Sequence, residues 1–102
     1  DGQKQTGDQV RERASQKTQN PRLYKVVLHN DNYTTMEFVV QVLEEVFLKN
    51  PSEAFRIMMQ VHTQGQGLCG FYPYDIAETK VATVHDMARD RGFPLRASLE
   101  EE

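Results

Sequence analysis

The sequence predicts a small α+β domain in the order β-α-α-β-α-β, with a three-stranded antiparallel sheet packed with three helices. Three runs of apolar residues at helical spacing and three short strand-like runs support this prediction. The chain of 102 residues is long enough for one domain. A small sheet covered by helices is the simplest architecture that buries these apolar stripes.

Residues 1–22 differ from the rest of the chain in composition. They are rich in Gln, Lys, Arg, Asp and Thr, and their only aliphatic residues are Val10 and Ala14. Such a segment buries too little apolar area to offset the entropy lost on ordering. We therefore expect a flexible N-terminal extension over residues 1–22 and a folded core over residues 23–102.

The first strand is predicted at Tyr24–Leu28, which is rich in β-branched and aromatic residues. The first helix follows, with Thr34 at its N-cap and Glu37 three residues later, which is the pattern of a capping box. We expect this helix to end near Lys49.

The second helix is predicted from Asn50 as N-cap, with Pro51 in the first turn and Glu53 at the third position, to about His62. A turn containing two glycines follows over residues 63–67.

The second half of the core is predicted as strand, helix, strand. The second strand covers Leu68–Tyr72. The third helix has Asp75 as N-cap, Glu78 at the third position and Gly92 just after its end. The last strand covers Leu95–Leu99.

Composition limits the class of function. The net charge of -3 argues against broad nucleic-acid binding, which needs a basic face. No run is apolar and long enough to span a bilayer, and the N-terminus lacks the apolar core of a signal peptide. The single cysteine is typical of a reducing compartment. We expect a soluble cytoplasmic protein that binds neither membrane nor nucleic acid.

A nucleophilic enzyme would need Cys69 activated by His29, His62 or His85. Cys69 lies in the middle of a predicted strand, which is typical of a buried, unreactive thiol. The three histidines lack the spacing of metal ligands, and we expect His29 and His85 to be surface residues. His62 closes a helix, so it is either a hydrogen-bonded helix-end histidine or a ligand contact.

Three polar residues, Asn30, Asp31 and Asn32, separate the first strand from the first helix. Such residues are common in turns because their side chains bond the backbone. Three in succession are more than a turn needs, so they are candidate hydrogen-bond acceptors at the head of a helix.

Four motifs carry a resemblance to a known family. They are Y-K-V-V-L-x-N-D-x-Y-T-x-M-E-F-V-V (Tyr24 to Val40), M-x-x-V-H (Met58 to His62), G-x-x-x-C-G (Gly65 to Gly70) and A-E-T-K-V-A (Ala77 to Ala82). Together they closely resemble ClpS, the bacterial N-end rule adaptor of the Clp AAA+ protease. The resemblance covers residues 23 to 99.

The resemblance implies a non-enzymatic adaptor for N-degrons, which are free protein N-termini whose first residue is Leu, Phe, Tyr or Trp. It implies that Asn30, Asp31 and His62 hold the α-amino group. The hydrophobic pocket that it implies is formed by Thr34, Met36, Val39, Met58, Val61 and Leu95. In the family the methionine at position 36 excludes β-branched first residues.

The resemblance also implies a partner, the N-domain of a ClpA- or ClpC-like AAA+ unfoldase. The residues implied to dock on it are Asp75, Glu78 and Lys80. The extension 1–22 would take part in delivery, and the adaptor would act as a monomer without cofactor or metal. The chain departs from the family's usual N-D-D and T-P-M at Asn32 and Thr35, at the periphery of the site.

One alternative is a general protein-interaction module without an amine pocket, which would resemble the C-terminal domain of the ribosomal stalk protein. It would not require Asn30, Asp31 and His62 to face one another. A small Cys/His hydrolase is a further alternative and would require a reactive Cys69.

Overall fold

The computed structural model describes residues 22–102, which form a three-stranded antiparallel sheet covered by three helices. The strands are β1 (Leu23–His29), β2 (Gln66–Pro73) and β3 (Arg96–Glu101), and the helices are α1 (Met36–Glu45), α2 (Pro51–Gln64) and α3 (Tyr74–Arg91). The predicted fold class and element order are confirmed. The extension predicted for residues 1–22 lies outside the described residues, apart from Arg22.

The strand that leads to the polar stretch lies in the centre of the sheet, whose order is β2-β1-β3. β1 pairs with β2 from Leu23 opposite Pro73 to His29 opposite Gln66, with a bulge where Val26 and Val27 face β2. A central strand has both edges paired, so the position at which β1 ends is well fixed.

One contiguous core fills the space between the sheet and the helices. Val26 and Leu28 of β1 are fully buried in it, together with Phe38 of α1 and Val84 of α3. The Phe38 ring packs against the Phe93 ring with centroids 5.1 Å apart. This core holds the start of α1 and the end of α2 against the end of β1.

The predicted end of α1 near Lys49 is wrong, because the helix ends at Glu45. The backbone turns at Leu48, which has a left-handed φ of 56° that costs a residue with a Cβ about 1–2 kcal/mol. The N–H of Lys49 donates to the Leu43 carbonyl at 3.0 Å and fixes this turn. The periodic apolar pattern continues through Phe47 because Val46 and Phe47 remain buried after the helix has ended.

The start of α2 is as predicted. Asn50 is the N-cap and accepts a hydrogen bond from the Glu53 N–H at 2.9 Å, and Pro51 begins the helix. The helix runs two residues beyond His62 to Gln64 and ends at Gly65, whose φ is 91°.

The start predicted for α3 is wrong. The helix begins at Tyr74 directly after Pro73, which makes no side-chain cap. The Asp75 carboxylate instead accepts from the neighbouring Ile76 N–H at 3.0 Å. The predicted end is right: Gly92 has a φ of 76° and its N–H donates to Arg89, while the Phe93 N–H donates to Ala88.

Candidate functional site

The end of β1 is tied to the end of α2 by one backbone hydrogen bond. The Asn30 N–H donates to the Gly65 carbonyl at 2.9 Å. Gly65 ends α2 in a left-handed conformation, three residues after His62. The bond therefore brings Asn30 and His62 to the same end of the domain, although they are far apart in sequence. Sequence reasoning missed this role of Gly65, for which the only signal was a glycine after a helix.

Asp31 organises the loop between β1 and α1. Its Oδ1 accepts from the Tyr33 N–H at 2.8 Å and the Thr34 N–H at 2.7 Å, and its Oδ2 accepts from the Thr34 hydroxyl at 2.7 Å. Partial burial raises the pKa of the Asp31 carboxyl, but the bonds from Thr34 and Tyr33 outweigh it and lower that pKa below its ordinary value. A carboxylate has about four lone-pair positions, so one on Oδ2 remains for a further donor.

The N-cap of α1 is Thr35, not Thr34 as the sequence predicted. The Thr35 hydroxyl accepts from the Phe38 N–H at 3.1 Å. The Thr34 hydroxyl is already bonded to Asp31 and is not available for capping. The third helical position is therefore Phe38 and not Glu37, so no capping box forms.

A cavity of about 230 Å³ opens between this loop, the first turns of α1 and the last turns of α2. It is lined by Asn30, Asp31, Asn32, Thr34, Met36, Val39, Met58, Val61 and His62. Polar oxygen- and nitrogen-bearing side chains from the loop and from His62 share it with apolar side chains from both helices. The cavity therefore offers hydrogen-bond acceptors and an apolar surface to one ligand.

The apolar part of the cavity has fixed walls and a more exposed lip. Val39, Met58 and Val61 are buried in the core, whereas Met36 at the first turn of α1 is 42% exposed. Methionine is unbranched and adapts its shape to a neighbouring group. Of the four apolar side chains that line the cavity, Met36 is thus the one with the most freedom to change the width of the cavity.

Two residues expected at the site do not line the cavity. Leu95 is only 4% exposed and belongs to the core, where it precedes β3. Thr35 is directed at its own helix as the N-cap. Asn32, by contrast, is exposed and lines the cavity. The departure from the family pattern at Asn32 therefore changes the lining of the cavity, whereas the departure at Thr35 changes the N-cap of α1.

Gly67, on β2, allows a wall of the cavity to pack closely on the sheet. A Cβ at this position would lie 2.7 Å from Cγ2 of Val61 and 3.1 Å from the Ile57 carbonyl oxygen. Such distances are shorter than normal van der Waals contact. The missing side chain at Gly67 thus leaves the space in which Val61 packs against β2.

The other two histidines have structural partners. His85, expected to be a solvated helix residue, accepts the Ala97 N–H on Nε2 at 3.0 Å and so links α3 to β3. His29 is half-buried, with Nε2 2.7 Å from the Ser98 hydroxyl, and burial lowers the pKa of its ring. Both predictions of a plain surface histidine are wrong, because β3 packs beside each ring.

Cys69 has the surroundings of a structural thiol. It lies in β2 and is 1% exposed, and burial raises the pKa of its thiol to about 12. A thiol of this kind is not a nucleophile near neutral pH. Within residues 22–102, no three side chains of the His, Cys, Asp and Glu types come together as a set that could hold a metal ion.

The residues expected to dock on a partner lie on α3. Asp75 and Glu78 are exposed. Lys80 is half-buried: its Nζ donates to the Val46 carbonyl at 2.7 Å and lies 5.2 Å from the centroid of the Tyr72 ring. Lys80 therefore stabilises the end of α1 against β2 and is less free than the two carboxylates.

Comparison with known proteins gives one family. Residues 19–98 match the family described as ATP-dependent Clp protease adaptor protein ClpS. The ATP-dependent Clp protease adapter protein ClpS of Syntrophus aciditrophicus is 58% identical over 85 residues, which cover 83% of this chain and 79% of that protein. The protein of the same name from Nitratidesulfovibrio vulgaris (strain DSM 19637 / Miyazaki F) is 56% identical over 94 residues, covering 92% and 86%.

A solved structure agrees. ClpS2 of Agrobacterium tumefaciens bound to L-phenylalaninamide matches with a TM-score of 0.78 and 42% sequence identity, and the match covers 81% of this chain and 100% of that chain. Fold, sequence and length therefore lead to one conclusion: the chain belongs to the ClpS family of adaptor proteins of the ATP-dependent Clp protease.

Proposed function

We propose that this chain binds the free α-amino group and the large hydrophobic first residue of N-degron substrates, and delivers them to a Clp AAA+ unfoldase for proteolysis. One observation carries the proposal: Asn30, Asp31 and His62 line the same cavity as the apolar side chains of α1 and α2. A free N-terminus followed by an apolar side chain has the complementary chemistry.

The polar part of the cavity suits an ammonium group. An α-ammonium offers three donors and is charged below about pH 8. Its three N–H groups match three acceptors: the Asn30 amide oxygen, the remaining lone pair of Asp31 and a ring nitrogen of His62. Hydrogen bonds to a charged group contribute about 1.5–3 kcal/mol each.

The apolar part suits Leu, Phe, Tyr or Trp. An apolar cavity of about 150 Å³ accommodates benzene, so a cavity of about 230 Å³ has room for a phenyl side chain. The L-phenylalaninamide bound to the Agrobacterium relative has a free amine and an amide, like an N-terminal Phe in a peptide. Burying such a side chain contributes about 1.5–3 kcal/mol, and after association costs we expect a micromolar affinity.

The test is fluorescence anisotropy with a labelled peptide that begins with Phe. We expect micromolar binding that N-acetylation abolishes and that Asp31→Ala weakens at least tenfold. Asp90→Ala, which removes an exposed carboxylate on α3, is the matched control and should bind normally. Equal affinity of the free and acetylated peptides would refute the ammonium site.

For the unfoldase, we propose that Asp75, Glu78 and Lys80 dock on the N-domain of a ClpA- or ClpC-like partner. The exposure of the two carboxylates supports this role, while Lys80 is engaged within the domain. Asp75→Lys with Glu78→Lys should weaken binding to the isolated N-domain at least tenfold, whereas Asp90→Lys should not. Retained binding of the double variant would exclude this surface.

We further propose that the chain acts in the cytoplasm as a monomeric adaptor without enzymatic activity, with residues 23–102 as the binding core and residues 1–22 taking part in delivery. Within the described part of the chain, no helix has the length and hydropathy needed to cross a membrane. Removing residues 1–22 should leave peptide affinity unchanged and reduce degradation of a Phe-initiated reporter by the reconstituted protease. If the shortened protein lost peptide affinity as well as reporter degradation, residues 1–22 would be part of the binding core.

A general interaction module resembling the ribosomal stalk domain is the less supported alternative. It gives no reason for Asn30, Asp31 and His62 to converge on one cavity, and they do so here.

A further inference from the structure

A second depression lies directly beside the cavity and shares two of its walls. It is an open groove of about 410 Å³ lined by Met36, Glu37, Val40, Phe55 and Met58. Met36 and Met58 line both this groove and the cavity of the site. We call the four apolar residues of the groove, Met36, Val40, Phe55 and Met58, the apolar ledge.

Two of the four side chains of the apolar ledge are exposed, whereas Val40 is half-buried and Met58 is buried. Phe55, in the first half of α2, is 57% exposed, and Met36 is 42% exposed. Single exposed apolar residues are ordinary in folded proteins. Here they are contiguous with one another and with a binding cavity, and contiguous apolar surface of this kind marks interaction sites.

The position of the apolar ledge limits what occupies it. Met36 and Met58 lie between the cavity and the groove, so a peptide whose first side chain fills the cavity can continue across them into the groove. In an extended peptide, alternate side chains point to the same side, so the first and third side chains share a face and lie about 6.6 Å apart. A third residue can thus reach the neighbouring groove while the second points away from the protein.

We propose that the apolar ledge is a subsite for an apolar third residue of the same substrate. The inference rests on the proposed function, because it assumes that the first residue occupies the cavity. It adds a preference that the cavity alone does not supply: among peptides with the same first residue, those with Leu, Met or Phe at the third position bind more tightly than those with Ala.

The test is an anisotropy series with three labelled peptides that begin Phe-Ala-Leu, Phe-Ala-Ala and Phe-Leu-Ala and are otherwise identical. We expect Phe-Ala-Leu to bind about fivefold more tightly than the other two. In Phe55→Gln the ratio of the two affinities, Phe-Ala-Leu to Phe-Ala-Ala, should fall to about one. Leu48→Asn removes another exposed apolar side chain, outside the groove and 80% exposed, and should keep the fivefold advantage.

Several results would overturn the proposal. Equal affinities of Phe-Ala-Leu and Phe-Ala-Ala for the unmodified protein would do so even if Phe55→Gln failed to fold. Tighter binding of Phe-Leu-Ala than of Phe-Ala-Ala that is lost in Phe55→Gln would also overturn it, because the second side chain would then occupy the ledge. A dimer in sedimentation that Phe55→Gln abolishes would assign the ledge to a second copy of the chain. Failure of the proposed function is distinguishable, because Phe-Ala-Ala would then not bind, or would bind equally when acetylated.

Discussion

Asp31 is the residue on which the loop and the proposed ligand site both depend. Three of its lone-pair positions accept hydrogen bonds from Tyr33 and Thr34, and the fourth is left for a ligand. Its carboxylate is therefore already oriented before any ammonium arrives, which lowers the entropy cost of binding. The same arrangement makes the charge of Asp31 a contributor to folding.

We expect Asp31→Asn to lower the free energy of unfolding by about 1 kcal/mol near pH 7, because the charged acceptor of three bonds becomes neutral. The pKa of Asp31 is lowered in the folded state. Its contribution is therefore present above the unfolded pKa of about 3.9 and is lost as the pH falls through the folded pKa. Urea unfolding of both proteins at several pH values measures this difference.

The matched control is Asp90→Asn, whose free energy of unfolding should differ little from that of the unmodified protein at every pH. If Asp31→Asn lowered the free energy of unfolding by the same amount near pH 7 and near pH 3, the carboxylate would not stabilise the loop.

Met36 is the second residue whose role can be isolated. Its exposed side chain forms the lip of the cavity, so Met36→Ala should admit first residues branched at Cβ. We expect the preference for Leu over Ile and Val at the first position to fall at least fivefold, measured by anisotropy with three peptides that differ only in that residue. Met59→Ala, half-buried on α2 and outside the cavity lining, should keep the preference. An unchanged preference in Met36→Ala would mean that the cavity walls, and not this side chain, exclude branched residues.

At the scale of the elements, sequence rules succeed where one local signal decides. Asn50 and Pro51 are the only residues near the start of α2 that match a helix N-terminus, and the start is predicted correctly. Gly92 likewise marks the end of α3 without a nearby alternative. They fail where two residues compete. Thr34 and Thr35 can both cap α1, and only the hydrogen bond from Thr34 to Asp31 selects between them.

The same reasoning applies to the site. The polar residues that line the cavity are candidates from the sequence itself, because a run of Asn and Asp precedes a helix and His62 closes one. The apolar lining is implied only by the resemblance to ClpS. The same resemblance also implies Leu95, which the core encloses instead. The role of His85 could not be predicted, since its partner, the Ala97 N–H, lies on another element.

The link between α3 and β3 can be tested through that bond. Ala97 is buried, so His85→Ala would leave its N–H without a partner. An unpaired buried donor costs about 1–3 kcal/mol, and we expect the free energy of unfolding to fall by about that amount. Denaturant unfolding measures it, with His62→Ala, an exposed histidine, as the control that should change stability little. A fall below about 0.5 kcal/mol would show that water replaces the histidine.

At the scale of the whole molecule, the two proposed surfaces belong to one domain with one hydrophobic core. The cavity lies where β1, α1 and α2 meet, and the exposed carboxylates lie on α3, which packs on the same sheet. A single hydrophobic core supports both surfaces. This arrangement suits an adaptor, whose task is to hold a substrate near a partner, and it makes the integrity of the core a condition for both interactions.

Cys69 offers a direct measurement of that integrity. Burial in β2 raises the pKa of its thiol to about 12, so the folded protein presents little thiolate near pH 8. We therefore expect a thiol reagent to label the folded protein only through opening of the core, with a rate that rises with urea in parallel with the loss of helical circular dichroism. Labelling in concentrated guanidinium chloride should be immediate, and Cys69→Ala should give no signal. Rapid labelling of the folded protein without denaturant would contradict the buried thiol and reopen the cysteine-nucleophile alternative.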